Sequence, residues 1–121
     1  MSEKIIVSIE ARMGSTRLPG KVLLPVGGIS MLEYMISRVG TSRIITDIVV
    51  ATSKNSNDDL IENLCSGLNI NVFRGSEENV LDRVYKATKA LDADIIVELT
   101  GDCPLIDPDL IDQAVSTFLI N

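Results

Sequence analysis

The chain has 121 residues, 17 acidic and 11 basic side chains, a net charge of −6, two cysteines and no histidine. That length suits one domain able to bury about two thirds of its unfolded surface. The missing histidine excludes Ser-His-Asp and Cys-His nucleophile systems and histidine zinc sites, and the acidic balance argues against nucleic acid as a partner. The N-terminus "MSEKIIVSIE" lacks signal-peptide features, and no apolar run approaches the roughly 18 residues of a membrane span. With Cys65 and Cys103 far apart, we expect free thiols, a cytoplasmic location and no membrane partner.

Hydrophobic pattern and breakers predict a regular alternation of strands and helices. "KIIVSI" (4–9) reads as a β-branched strand, followed by the loop "ARMGSTRLPGK" (11–21). "KVLLPVGG" reads as a short extended piece ending at the Gly27-Gly28 turn. Ser30 and Glu33 form an S-x-x-E capping box ahead of a helix that buries Leu32, Met35, Ile36 and Val39 and ends at Gly40. "DIVVAT" (47–52) is the second strand, and Ser56 with Asp59 opens a helix whose inner side is Leu60, Ile61, Leu64 and Leu68. "INVFRG" (70–75) is the third strand, before a helix bearing Val80, Leu81, Val84 and Leu91. "DIIVELT" (94–100) is the fourth, and Asp107-Pro108 starts a last helix reaching about Leu119. Nearly continuous apolar strands suggest helices on both faces. The expectation is a doubly wound, mainly parallel α/β sheet of strand order 3-2-1-4, in one domain spanning 1–121.

Charge is distributed unevenly. No acid lies between Glu10 and Glu33, so the segment holding Arg12, Arg17 and Lys21 is +3, leaving −9 elsewhere. A basic island in an acidic chain suggests a local anion site. In a doubly wound sheet the ligand sits beyond the strands' carboxyl ends where strand order reverses, which brings "ARMGSTRLPGK" opposite "TGDCP" with Asp102. Cations and amides there suit phosphates, and a carboxylate suits the magnesium they carry. The loop is not a P-loop: five residues separate Gly14 from Gly20, and Val22 stands where a metal-binding hydroxyl belongs.

"ARMGSTRLPGK", "FRGSEENVLDRV" (73–84) and "TGDCPLIDPDLID" (100–112) together resemble the signatures of the sugar-acid cytidylyltransferases, closest to the spore coat polysaccharide biosynthesis protein F branch. The resemblance covers essentially the whole chain but only the N-terminal half of a usual member. It implies a nucleotide-diphospho-sugar transferase-like fold and CTP-dependent activation of a sugar acid as its CMP-sugar, with pyrophosphate released, for surface polysaccharide synthesis. It implies that Arg12, Arg17 and Lys21 meet the triphosphate and that amides from Ala11 through Met13 and Gly14 to Ser15 read base and phosphate. Arg74, Thr100 and Gly101 join the nucleotide site, and Asp102 holds Mg2+; Arg12, Lys21 and Asp102 are the implied catalytic set. The sugar pocket and the segment that forms a homodimer would lie in the half not present.

Two acids depart from the branch's pattern: Glu10 replaces a glutamine and Glu98 an arginine. Each weakens triphosphate binding unless a cation or a metal pairs with it; Arg12 or Arg17 could serve Glu98. Asp82 and Arg83 belong either to the nucleotide site or to a solvated helix face. Cys103 reads as turn filler and Asp107 as an N-cap. The mean hydropathy of +0.27 reflects either apolar surface awaiting a partner or tightly covered strands. Two other functions remain open: a non-catalytic nucleotide-binding module, and a nucleotide-sugar glycosyltransferase, although Asp107-Pro108-Asp109, which has the letters of a D-x-D, reads as a helix start.

Overall fold

β1 (Ile5–Glu10) runs parallel to β4 (Asp47–Ser53) on one side and to β6 (Ile95–Thr100) on the other. β5 (Asn71–Gly75) adds to the far side of β4, also parallel. The computed structural model describes residues 3–14, 20–101 and 106–120. Ser15, Arg17, Asp102 and Cys103, all singled out from the sequence, lie outside them.

The segment read as one extended piece is a 3-10 turn, Lys21–Leu23, followed by a small antiparallel hairpin of β2 (Pro25–Val26) and β3 (Ile29–Ser30). Gly27 and Gly28 turn it with φ of 61° and 93°, a region open to glycine because it has no Cβ. Counting this hairpin, the sheet order is β5-β4-β1-β6. The numerals therefore differ from the expected 3-2-1-4, which counted only four strands. The class is as expected, and the first and last strands are neighbours.

Ser30 caps α1 (Met31–Val39) by accepting from the Glu33 amide at 3.1 Å. With α2 (Asp59–Gly67) and α4 (Pro108–Ile120), this helix covers one face of the sheet. Ile5, Val7 and Ile9 pack there against Leu32, Met35, Ile61, Ile111 and Val115. α3 (Val80–Lys89) covers the other face, with Ala87 against Ile6, Val49 and Ala51. Each fully buried Ile or Leu contributes roughly 1.5–3 kcal/mol, so these two layers fix the strand order below the site.

Three packing expectations need correction. Leu60 is 54 % exposed; a 3-10 turn over Ser56–Asp58 leads into α2, and Cys65 takes the inner position with Ile61. Leu81 is 77 % exposed, because the inner stripe of α3 is Arg83, Val84, Ala87 and Thr88, a helical spacing that places Leu81 about 100° off the buried side. β6 is not covered on both faces. Ile95, Val97 and Leu99 are half-buried while Ile96, Glu98 and Thr100 are exposed, the alternation of a strand with one open face.

Candidate active site

The chain leaves β1 and β6 at the same end of the sheet. The Gly101 amide donates to the Glu10 carbonyl at 2.7 Å. A Cβ on Gly101 would stand 2.9 Å from that oxygen and 3.2 Å from the Ala11 methyl, so only glycine allows the approach. Beyond this contact lies an open cavity of about 240 Å3, lined by Glu10, Ala11, Arg12, Gly14, Lys21, Val22, Thr100 and Gly101. The structure thus places six of the sequence-predicted site residues (Ala11, Arg12, Gly14, Lys21, Thr100 and Gly101) around one space.

The start of the basic loop is held from several directions. The Ala11 amide donates to the Ala51 carbonyl at 3.1 Å, continuing the β1–β4 pairing. The Met13 amide donates to Asp58 Oδ1 at 2.7 Å, and the Met13 carbonyl accepts from the Gly20 amide at 2.8 Å. Gly20, at φ 74°, closes the loop with a left-handed turn that favours glycine. Asp58 is buried and also accepts from the Ser53 hydroxyl. Met13 therefore contributes its backbone to the loop's closure. Arg12 donates from Nη1 to the Glu77 carbonyl at 3.3 Å and also borders a smaller cavity, about 100 Å3, with Asn55, Asn57 and Asp58.

Arg83 settles one open question. It is completely buried, not a solvated helix charge. Its Nη2 donates to Glu10 Oε1 at 2.7 Å and its Nη1 to the Ser76 carbonyl at 2.6 Å. Burial lowers the guanidinium pKa from its ordinary value; the Glu10 charge opposes that, Arg12 adds to it and Asp58 opposes it again. Glu10, one of the two acids that depart from the family pattern, thus has a cation. Glu98 is exposed on the open face of β6.

Arg74, like Met13, is a predicted site residue that does not line this cavity. Its Nε donates to the Ser53 carbonyl at 2.7 Å, Nη2 to the Asn55 carbonyl at 2.6 Å, and Nη1 to Asp59 and Glu62 at 2.6 and 3.0 Å. Hydrogen bonding to Asp59 leads the effects that raise its pKa. This side chain ties β5 to the start of α2 and does not line the cavity between β1 and β6. Strand alternation explains it: Arg74 lies on the α2 face, while Gly75 opens the opposite face to Arg83.

Sequence reasoning missed Asp58, which reads as one more helix-start acid beside Asp59. Only the fold shows it turned back to the Met13 amide. Asp107 is a helix start as read, its Oδ1 accepting from the Asp109 amide at 2.9 Å. Among the described residues no three Asp, Glu, Cys or His side chains gather as a metal cluster. At the ends of β1 and β6 the described residues offer Glu10 and Thr100, oxygen donors of the hard type that a divalent ion takes.

A parallel α/β sheet with a cation-lined cavity beyond its central strands defines a nucleotide-binding class. The chain belongs to the cytidylyltransferase family, whose profile matches residues 6–121. It is 46 % identical over 115 residues to spore coat polysaccharide biosynthesis protein SpsF of Bacillus subtilis, covering 92 % of this chain and 48 % of that protein. Among solved structures, a cytidylyltransferase from Leptospira borgpetersenii superposes with a TM-score of 0.93 at 44 % identity, covering 98 % of this chain and 50 % of the other. CMP:2-keto-3-deoxy-manno-octonic acid synthetase complexed with CTP superposes with a TM-score of 0.81 at 27 % identity, covering 98 % and 48 %. The fold is that of the nucleotide-diphospho-sugar transferases. The chain spans about half the length of the curated relatives it matches.

Proposed function

We propose that this chain is the CTP-binding half of a cytidylyltransferase that converts a sugar acid to its CMP-sugar for surface polysaccharide synthesis, acting in the cytoplasm. The observation that supports it most is the cavity where Arg12 and Lys21, from the loop after β1, face Thr100 and Gly101, from the end of β6. In the reaction a sugar hydroxyl oxygen attacks the α-phosphorus of CTP, the bond to the β-phosphate breaks, and pyrophosphate leaves. Arg12, Lys21 and Arg17 neutralise the charge that grows on the α-phosphate and the leaving group. Amides of the loop from Ala11 to Ser15 other than those of Ala11 and Met13, which Ala51 and Asp58 already engage, hold base and phosphates, and the Gly101–Glu10 contact sets the spacing of the two loops. Magnesium, when bound at Asp102 and the phosphates, would add charge neutralisation and orient the reacting oxygens. Arg74 acts through the frame of α2 and β5.

Calorimetric titration with CTP and magnesium tests the binding step, with UTP and ATP as controls. Pyrophosphate release with a panel of keto-sugar acids tests transfer. CTP binding with release identifies the enzyme; no preference for CTP overturns the proposal. Glu98, an acid exposed on the open face of β6, favours a second reading, a non-catalytic nucleotide-binding module. CTP binding without release, both alone and with the sugar-binding half supplied, selects it.

A further inference from the structure

The acid at position 10 lies inside a cavity proposed to hold a polyanion. Glu10 lines that cavity beside Arg12 and Lys21, and its side chain keeps 20 % of its exposure. A bare carboxylate there would repel triphosphate. Arg83 Nη2, 2.7 Å from Glu10 Oε1, places a full positive charge directly behind it. Arg83 has no access to solvent and is absent from the cavity wall.

We propose that Arg83 is a positioning residue of the triphosphate site, holding the Glu10 carboxylate in place and masking its charge. This rests on the function proposed above. Two features favour it over a purely structural staple. Arg83 Nε is buried with no hydrogen-bond partner, so the guanidinium is an expensive element to bury for stability alone. Its Nη1 also reaches the Glu77 carbonyl at 3.4 Å, the oxygen that accepts from Arg12 Nη1 at 3.3 Å. One backbone oxygen therefore links the buried arginine to the cavity arginine. Gly75 makes room for this arrangement, since a Cβ there would stand 3.1 Å from Arg83 Cγ.

Masking predicts opposite signs for the two halves of the pair, whereas a staple predicts the same sign. Arg83→Met bares the Glu10 carboxylate, and magnesium-CTP binding weakens about 5–10-fold. Glu10→Gln keeps a hydrogen-bond acceptor and releases the Arg83 charge, and binding tightens about 2–5-fold. The double variant returns to within about two-fold of wild type. All three differences shrink in high salt, as electrostatic effects do. Calorimetry on the four proteins, with circular dichroism to confirm folding, reads each value. A double variant as weak as Arg83→Met, or weaker binding in Glu10→Gln, overturns the inference. If Arg83→Met does not fold, the sign of Glu10→Gln decides alone: tightening supports masking, and weakening or no change overturns it. Inorganic tripolyphosphate serves as a second probe that carries no base. If it follows the predicted signs while CTP is not preferred, the charge mask stands and the proposed function falls; if wild type binds neither, both fall.

Discussion

Along β4 the sheet is covered on both faces: Val50 meets the layer of α1, α2 and α4, and Val49 and Ala51 meet α3. Along β6 only one face is covered. Ile96, Glu98 and Thr100 lie open, and Leu110, Phe118, Leu119 and Ile120 of nearby α4 are exposed. The two regions have similar sequence character, both apolar and β-branched, yet one is an interior and the other a surface. Burial here is decided by which elements arrive, and strand composition alone does not report it. The cation-lined cavity sits at the boundary between the two regions, with β1 as its finished wall and β6 as its open one.

Substitutions should expose that asymmetry. Ile61→Ala, in the covered region and fully buried, is expected to cost about 3 kcal/mol in urea unfolding, through lost transfer energy and a cavity. The neighbouring thiol gives a pH test. Burial, with the Glu62 charge, pushes the Cys65 pKa from 9.0 to about 11. The folded state thus favours the protonated thiol, so this contribution is complete below about pH 9. It is lost as pH rises towards about 11, by roughly 2–3 kcal/mol over that window. Unfolding curves at both ends, with Cys65→Ala as control, check it; a decline of equal size in the control refutes it. Gly75→Ala should cost about 1–3 kcal/mol, since its Cβ would stand 2.8 Å from the Phe73 ring, whereas Gly67→Ala meets open space and should be neutral or slightly stabilising. Asn79→Ala removes the cap on the Asp82 amide at 3.0 Å and should cost about 1 kcal/mol. Smallest of all, Phe118→Ser on the outer side of α4, 66 % exposed, should change stability by no more than about 0.5 kcal/mol while lowering binding of a hydrophobic dye. A loss there as large as that of Ile61→Ala would end the distinction between the two sides.

Much of this was legible in the residues. The order of strands and helices follows from periodicity and breakers, and parallel pairing follows from the helical crossovers between consecutive strands. The cation island pointed to the cavity, and the family signatures pointed to its chemistry. The misses share a cause. Arg83 reads as either a nucleotide-site residue or a solvated helix charge because its partner, Glu10, lies 73 residues away in sequence and only the fold brings them together. Leu81 was read inward because a stripe containing an arginine does not look like a core stripe. Arg74 enters the predicted site only through the family resemblance, and nothing local marks Asp58; their roles depend on contacts 21 and 45 residues distant. The exposed face of β6 has the same origin, since the letters "IIVELT" alternate only once Glu98 and Thr100 are set beside Ile96.

The central place of β1 has a consequence for how the chain folds. Its hydrogen-bonding neighbours come from residues 47–53 and 95–100, and the Lys4 amide pairs with Asp94, 90 positions later. Such non-local pairing slows folding and leaves sticky intermediates exposed. "IIVSIE" therefore stays an unpaired apolar ribbon until residues 47–53 are in place, and keeps one open edge until residues 95–100 join it.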